Sequence, residues 1–166
     1  MIIRMLKLAL LFVVATVCHW ALVSVFSSWG LNVNILLVFV TAFCAFSAPK
    51  LGYPAAFLGG LFLDFFSTKL FGYNAFSFTL AACVVYSAVG RLDFGSFIPQ
   101  MFMSFLLTVL VGITGSSLVV LFTAGTIWTG WWSTLAGAFI GALCAPVIFM
   151  VVRWALGNEE KSLNGR

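Results

Sequence analysis

Charge is what this chain has least of. Four acidic and eight basic residues make up 7% of its 166 positions, against roughly a quarter in a soluble domain. A chain so poor in charge cannot cover itself with polar surface, which excludes a water-soluble globular fold. Its cations are scattered singly, which excludes a nucleic-acid-binding patch. Histidine occurs once, as His19, and the four cysteines (Cys18, Cys44, Cys83, Cys144) lie singly in apolar runs. No Cys-x-x-Cys or Cys/His spacing is present, so neither a disulfide framework nor a metal site is implied, and the cysteines read as small packing residues. There is no HExxH pair, no serine elbow, no phosphate-binding glycine loop and no acidic pair. The sequence therefore offers no catalytic centre and no cofactor site, and the expectation is a protein that is not an enzyme.

What the chain has in abundance is apolar length: 63% of its residues are hydrophobic. The expected fold is an all-α integral membrane protein, a bundle of about six transmembrane helices, since a span needs about 20 apolar residues. The first run, 8–26, follows Arg4 and Lys7 and is too long for a signal-peptide core. The second, 34–48, ends at Pro-Lys-Leu-Gly. The third begins near Pro54, a residue suited to a first helical turn, and reaches about residue 70. A tight turn at Phe71 and Gly72 leads into 73–89. After a hydrophilic loop at 90–95, Ser96 is placed to cap a fifth run ending near 122. An uncharged loop, 123–130, precedes the sixth, 131–156. Residues 1–157 form one helical domain and 158–166 a short polar tail.

The loop charges orient the bundle. Arg4, Lys7, Lys50, Arg91, Arg153, Lys161 and Arg166 fall on one side and Lys69 alone on the other. Basic residues concentrate in cytoplasmic loops, so both termini are expected inside. Trp132 and Trp154 lie 22 residues apart, about 33 Å of helix, which suits the two interfacial belts.

Against this background one acid stands out, Asp64 in LGGLFLDFFSTKLFG. On a helix it shares a face with Gly60, Leu61, Ser67 and Thr68. Counting about eight residues (~12 Å) down from the outer ends places His19, Thr41, Thr79 and Thr114 at its depth. A carboxylate in hydrocarbon costs at least about 2.5 kcal/mol and needs partners. The expectation is a structural polar layer in which hydroxyls or His19 hold Asp64, and in which a near-isosteric Asn serves almost as well. Small residues supply a second signal. Ser133, Gly137, Gly141 and Ala145 recur every fourth position on the last helix, and Ala56 with Gly60 does so on the third, as faces for close helix packing or a partner.

The stretch GYPAAFLGGLFLDFFSTKLFGYNAFSFTLAACVVY, with Gly60, Asp64 and Gly72 at their spacing, resembles the rod shape-determining protein MreD family. Val33 before Asn34 departs from the Pro that the family often carries there. The resemblance implies a non-enzymatic scaffold of the bacterial inner membrane, supporting lateral peptidoglycan synthesis and rod shape. The implied partners are MreC, a single-span periplasmic protein, and, indirectly, RodA with its transpeptidase partner and MreB filaments. It also implies a helical arrangement like the substrate-binding subunits of energy-coupling-factor transporters. A vitamin-type uptake subunit is thus the alternative, although the small-xxx-small patch common on the first helix of those subunits is missing here.

Overall fold

The computed structural model describes residues 2–31, 33–66, 71–123 and 131–156, the side chains at 2–9, 27, 118–123 and 131 excepted. Among these the fold is all-helical, with six helices: α1 (Ile2–Ser27), α2 (Ile35–Phe46), α3 (Pro49–Phe66), α4 (Tyr73–Val89), α5 (Phe97–Thr123) and α6 (Trp131–Leu156). Lys69, Ser67, Thr68, the 124–130 loop and the polar tail lie outside the described residues.

Local chemistry sets several of these boundaries. Asn34 caps α2, its side-chain oxygen accepting the Leu37 N–H at 3.1 Å. Gly30, at φ +69°, closes α1 in the left-handed conformation, and the Leu31 N–H reaches back to the Phe26 carbonyl at 3.1 Å. The third helix corrects the sequence reading. It opens at Pro49, five residues before Pro54. The Ala48 carbonyl accepts the N–H groups of Leu51 and Gly52 at 2.9 and 3.0 Å, so the first turn is closed before Pro54 is reached. Pro49 takes the first position, where a missing N–H costs nothing. Pro54 sits inside the helix and deprives only the Lys50 carbonyl of a partner.

The helices pack around α2. That short segment (ILLVFVTAFCAF), apolar apart from Thr41, is buried from Ile35 to Cys44 and touches all five other helices. Around it the order is α3, α4, α5, α6, α1, with α3–α4 and α5–α6 the most extensive pairings. The ring is loosest between α1 and α3, which meet through aromatic edges: Phe12 on Phe62 at 5.7 Å between ring centroids, and Trp20 on Phe66 at 4.8 Å. Two helical stretches, Phe97–Ser117 and Trp132–Leu156, are long and apolar enough to cross a membrane. The other apolar stretches are shorter. The 12 residues of α2 amount to about 18 Å of helix against a hydrocarbon core of about 30 Å.

The outside of the bundle is as apolar as its core. Outward-facing positions include Trp132, Phe139, Leu143, Val147, Met150 and Trp154 on α6 alone, while Asp64, Thr41, Ser77, Gln100, Ser104 and Thr108 are buried. The small residues of α6 turn inward. Gly137, Gly141 and Ala145 are buried, and a Cβ at Gly141 would touch Val38 of α2 at 3.5 Å and Thr108 of α5 at 3.9 Å. A methyl fits there and a branched side chain does not. Gly141→Leu should therefore destabilise the bundle by about 1–3 kcal/mol through overpacking. Leu143→Ala, on the outward face, should stay within about 0.5 kcal/mol. Thermal unfolding of the two variants in detergent checks the contrast.

Candidate functional site

The polar centre of the molecule is built where α3 hands the chain to α4. A helix begins with N–H groups that have no carbonyl to reach. Ordinarily the N-cap side chain serves those at the second and third positions. Here the N-cap is Gly72, which has no side chain and takes φ +89°. The conformation turns the chain sharply, and an L-residue would be strained in it. The missing cap comes from the preceding helix. Asp64 Oδ1 accepts the Asn74 backbone N–H and the Asn74 side-chain Nδ2–H, both at 3.0 Å, and Oδ2 accepts the Ala75 N–H at 3.1 Å. The carboxylate is only 2% exposed, and it sits at the positive end of the α4 dipole, where an anion is favoured.

The approach needs Gly60. It lies one turn before Asp64 on the same face of α3. A Cβ added there would come within 2.6 Å of both Ala75 N and Ala75 Cα, and closer still to the Asn74 carbonyl oxygen. These are backbone atoms and cannot swing aside. Gly60 thus lets the first turn of α4 lie against α3 at the distance at which Asp64 can cap it. The next residue carries the connection outward. Tyr73 Oη donates to the Val111 carbonyl of α5 at 2.9 Å, and Gly115 leaves the space that the Tyr73 ring and hydroxyl fill.

The other end of the α3–α4 pair repeats the device with different residues. Gly52 leaves room for the Tyr86 hydroxyl. That hydroxyl sits 3.3 Å from both the Ser47 and the Ala48 carbonyl oxygens, at the joint between α2 and α3. The Tyr86 ring packs on Tyr53 at 5.0 Å. Sequence reasoning missed this second latch. Its signal was a longer row than the one recognised: Gly52, Ala56, Gly60 and Asp64 recur every fourth residue and all are buried.

The hydroxyls and the histidine expected to hold Asp64 do not bond to it among the described residues. Among the described residues its hydrogen bonds come from Asn74 and Ala75. Thr79 donates to the Ala75 carbonyl of its own helix at 2.8 Å, Thr41 to Leu37 at 2.8 Å, and Thr114 to Val111 at 3.1 Å. A hydroxyl on a helix finds a carbonyl three or four residues back without leaving its own turn. His19 is buried, and its Nδ1 has no hydrogen-bond partner among the described residues. The structure therefore gathers Gly60, Asp64 and Gly72 into one corner, and leaves His19 and Thr79 outside it. No group of three or more His, Cys, Asp or Glu side chains able to hold a metal occurs among the described residues.

No protein-family model matches the chain, and neither the curated proteins nor the solved structures contain a match.

The corner makes a definite demand on chemistry. Three N–H donors converge on two oxygens, so the side chain must be an acceptor at both. An asparagine keeps one acceptor and turns an NH2 toward donors. This geometry argues against the sequence expectation that Asn would serve almost as well. Asp64→Asn should cost about 1.5–3 kcal/mol, the range for hydrogen bonds to a charged group. Asp64→Leu should cost more, because it leaves two backbone N–H groups unpaired in an apolar setting, at about 1–3 kcal/mol each. Melting temperature and membrane abundance measure both, in the order wild type, Asn, Leu. Gly60→Ala should be as damaging as Asp64→Leu, while the conservative Ala56→Gly should be mild. Equal stability of Gly60→Ala and wild type would contradict the close approach described here.

Proposed function

We propose that the protein is an MreD-type membrane scaffold: six helices embedded in the bacterial inner membrane, both termini cytoplasmic, joining MreC and supporting lateral peptidoglycan synthesis. RodA with its transpeptidase partner and the MreB filaments connect to it indirectly. Four things support the reading. The apolar outer surface, with polar side chains such as Asp64, Gln100 and Ser104 kept inside an otherwise apolar core, suits lipid as solvent. Trp132 and Trp154 both face outward near opposite ends of α6, as belt residues do. Seven of the eight basic residues fall on one side of the expected threading. The observation that carries the reading furthest is the Gly60, Asp64 and Gly72 corner. The three residues by which the chain resembles the MreD family act together, and their work is to join helices. A carboxylate that accepts three hydrogen bonds is committed to structure.

In this reading α2, at 12 residues, lies inside the bundle and is extended toward the membrane surfaces by the flanking segments. The alternative, a vitamin-type uptake subunit, calls for a pocket with a few convergent polar groups. The cavity of about 500 Å³ between α1, α2 and α3 is lined by Phe, Val, Leu, Ala and Gly side chains, which favours the scaffold.

Depletion separates the two. A scaffold's loss should round or swell rod-shaped cells while vitamin uptake stays normal, and the tagged protein should retain MreC through detergent extraction and affinity capture. Intact rods with a specific uptake defect would transfer the assignment to the transporter class. A reporter placed after Arg166 should read cytoplasmic and one within 124–130 periplasmic.

A further inference from the structure

The ring of helices around α2 is incomplete at one place, and the gap has a floor, two walls and a roof. The floor is Phe39, Val40 and Phe43 of α2. One wall is α3, through Ala55 and Gly59, and the other is α1. The Phe12–Phe62 edge contact bridges the two walls. The gap is a half-open groove of about 500 Å³, and every side chain lining it is apolar.

Three features of this cavity select an occupant. Its lining has no side chain that could orient a polar metabolite, which a specific small-molecule site requires. A partner's transmembrane helix, about 10 Å across, would reach the α2 floor only by parting α1 from α3. Seating one would also mean breaking the aromatic bridges at Phe12–Phe62 and Trp20–Phe66. A methylene takes up about as much room as a water molecule (~30 Å³), so the space matches one unbranched chain of about 16 carbons. An apolar cavity left unfilled forfeits dispersion contacts on every wall.

We propose that the gap between α1 and α3 is a binding site for one acyl chain of a phospholipid from the surrounding bilayer. The chain enters laterally beneath the Phe12–Phe62 bridge and lies against α2. The headgroup stays at the membrane surface, because nothing in the cavity recognises it. The inference rests on the membrane reading above and goes beyond the scaffold role. It makes the otherwise buried central helix reachable by lipid at one face only.

The test is photolabelling of the full chain in phosphatidylcholine vesicles, using a phospholipid with a diazirine near the end of a 16-carbon chain. Labelled residues are mapped by mass spectrometry. The outward positions Leu143 and Met150 of α6 serve as internal control. Phe39 and Phe43 on α2 are largely buried, so their labelling at a level comparable with α6 is the expected result. Ala55→Phe places a ring in the cavity and should cut the α2 label at least fivefold with the α6 label unchanged. Phe12→Ala removes half the bridge and should raise it. Absence of α2 label alongside a strong α6 label overturns the inference and leaves the membrane reading standing, as does an α2 label that neither variant moves. Labelling of α2 by free diazirine palmitate but not by the phospholipid overturns the assignment to a bilayer lipid. Loss of both labels, with release of the protein by alkaline carbonate, would instead overturn the membrane reading itself.

Discussion

The bundle depends on how the first turn of α4 is satisfied. Its leading N–H groups point into apolar surroundings where water does not reach, and each left unpaired would cost as much as a lost hydrogen bond. Gly72 turns the chain but offers no cap. Asp64 supplies one from α3, and several other choices follow from that reach. Gly60 must lack a side chain so that the backbones can meet. The small residues before it let α3 lie along α4, down to the Gly52–Tyr86 contact. Tyr73, fixed by the same turn, then ties the pair to α5. A buried charge by itself weakens a fold. Here two backbone amides, a side-chain amide and a helix dipole stand opposite the desolvation of one carboxylate, and the acid becomes a joint.

The same logic of small residues inside and large ones outside governs α6. Where the surroundings are as apolar as the core, burying a leucine gains little, and helices associate through close van der Waals contact. Gly137, Gly141 and Ala145 are buried, Gly141 closely against α2 and α5, and most bulky residues of the helix face away, with Phe149, Val152 and Leu156 turning into the core near its end. The central α2 has a single side-chain link to a neighbour, the Cys44 thiol donating weakly to the Gly52 carbonyl of α3 at 3.7 Å among the described residues. Its one threonine bonds to Leu37 of its own backbone, and its start and end are tied down by Asn34 and by Tyr86 from α4. Position, rather than specific bonding, holds it.

Much of this was legible in the sequence, for reasons that can be named. The bounds of α4 and α6 follow from Gly72, Gly90 and the ends of uninterrupted apolar runs, and the structure places them at 73–89 and 131–156. The start of α3 was not legible, because Pro49 and Pro54 are both acceptable near a helix N-terminus. Only the hydrogen bonds to the Ala48 carbonyl decide between them. The partners of Asp64 were misjudged because depth counting treats hydroxyls at one level as free to meet. Each instead bonds within its own helix, where no packing has to be disturbed. The short connection after α3 held the better clue. Asp64 lies within three residues of the described end of α3 and eight before Gly72, so α4 must begin at nearly the same depth. A glycine N-cap there leaves donors that only a neighbouring acceptor can meet.

These connections also divide the molecule into a tightly joined part and a looser one. The chain from α2 through α6 is bound by polar latches, glycine approaches and long helix-on-helix seams. Among the described residues, helix α1 meets α3 through the edges of Phe12 and Trp20 against Phe62 and Phe66. Aromatic edges hold two helices at a ring's width and leave space behind them, whereas glycines bring backbones together and leave none. The cavity therefore lies where the packing changes from one kind to the other. The glycine-based seams fix the frame, and the aromatic seam is the place where an outside hydrocarbon group can enter without disturbing that frame.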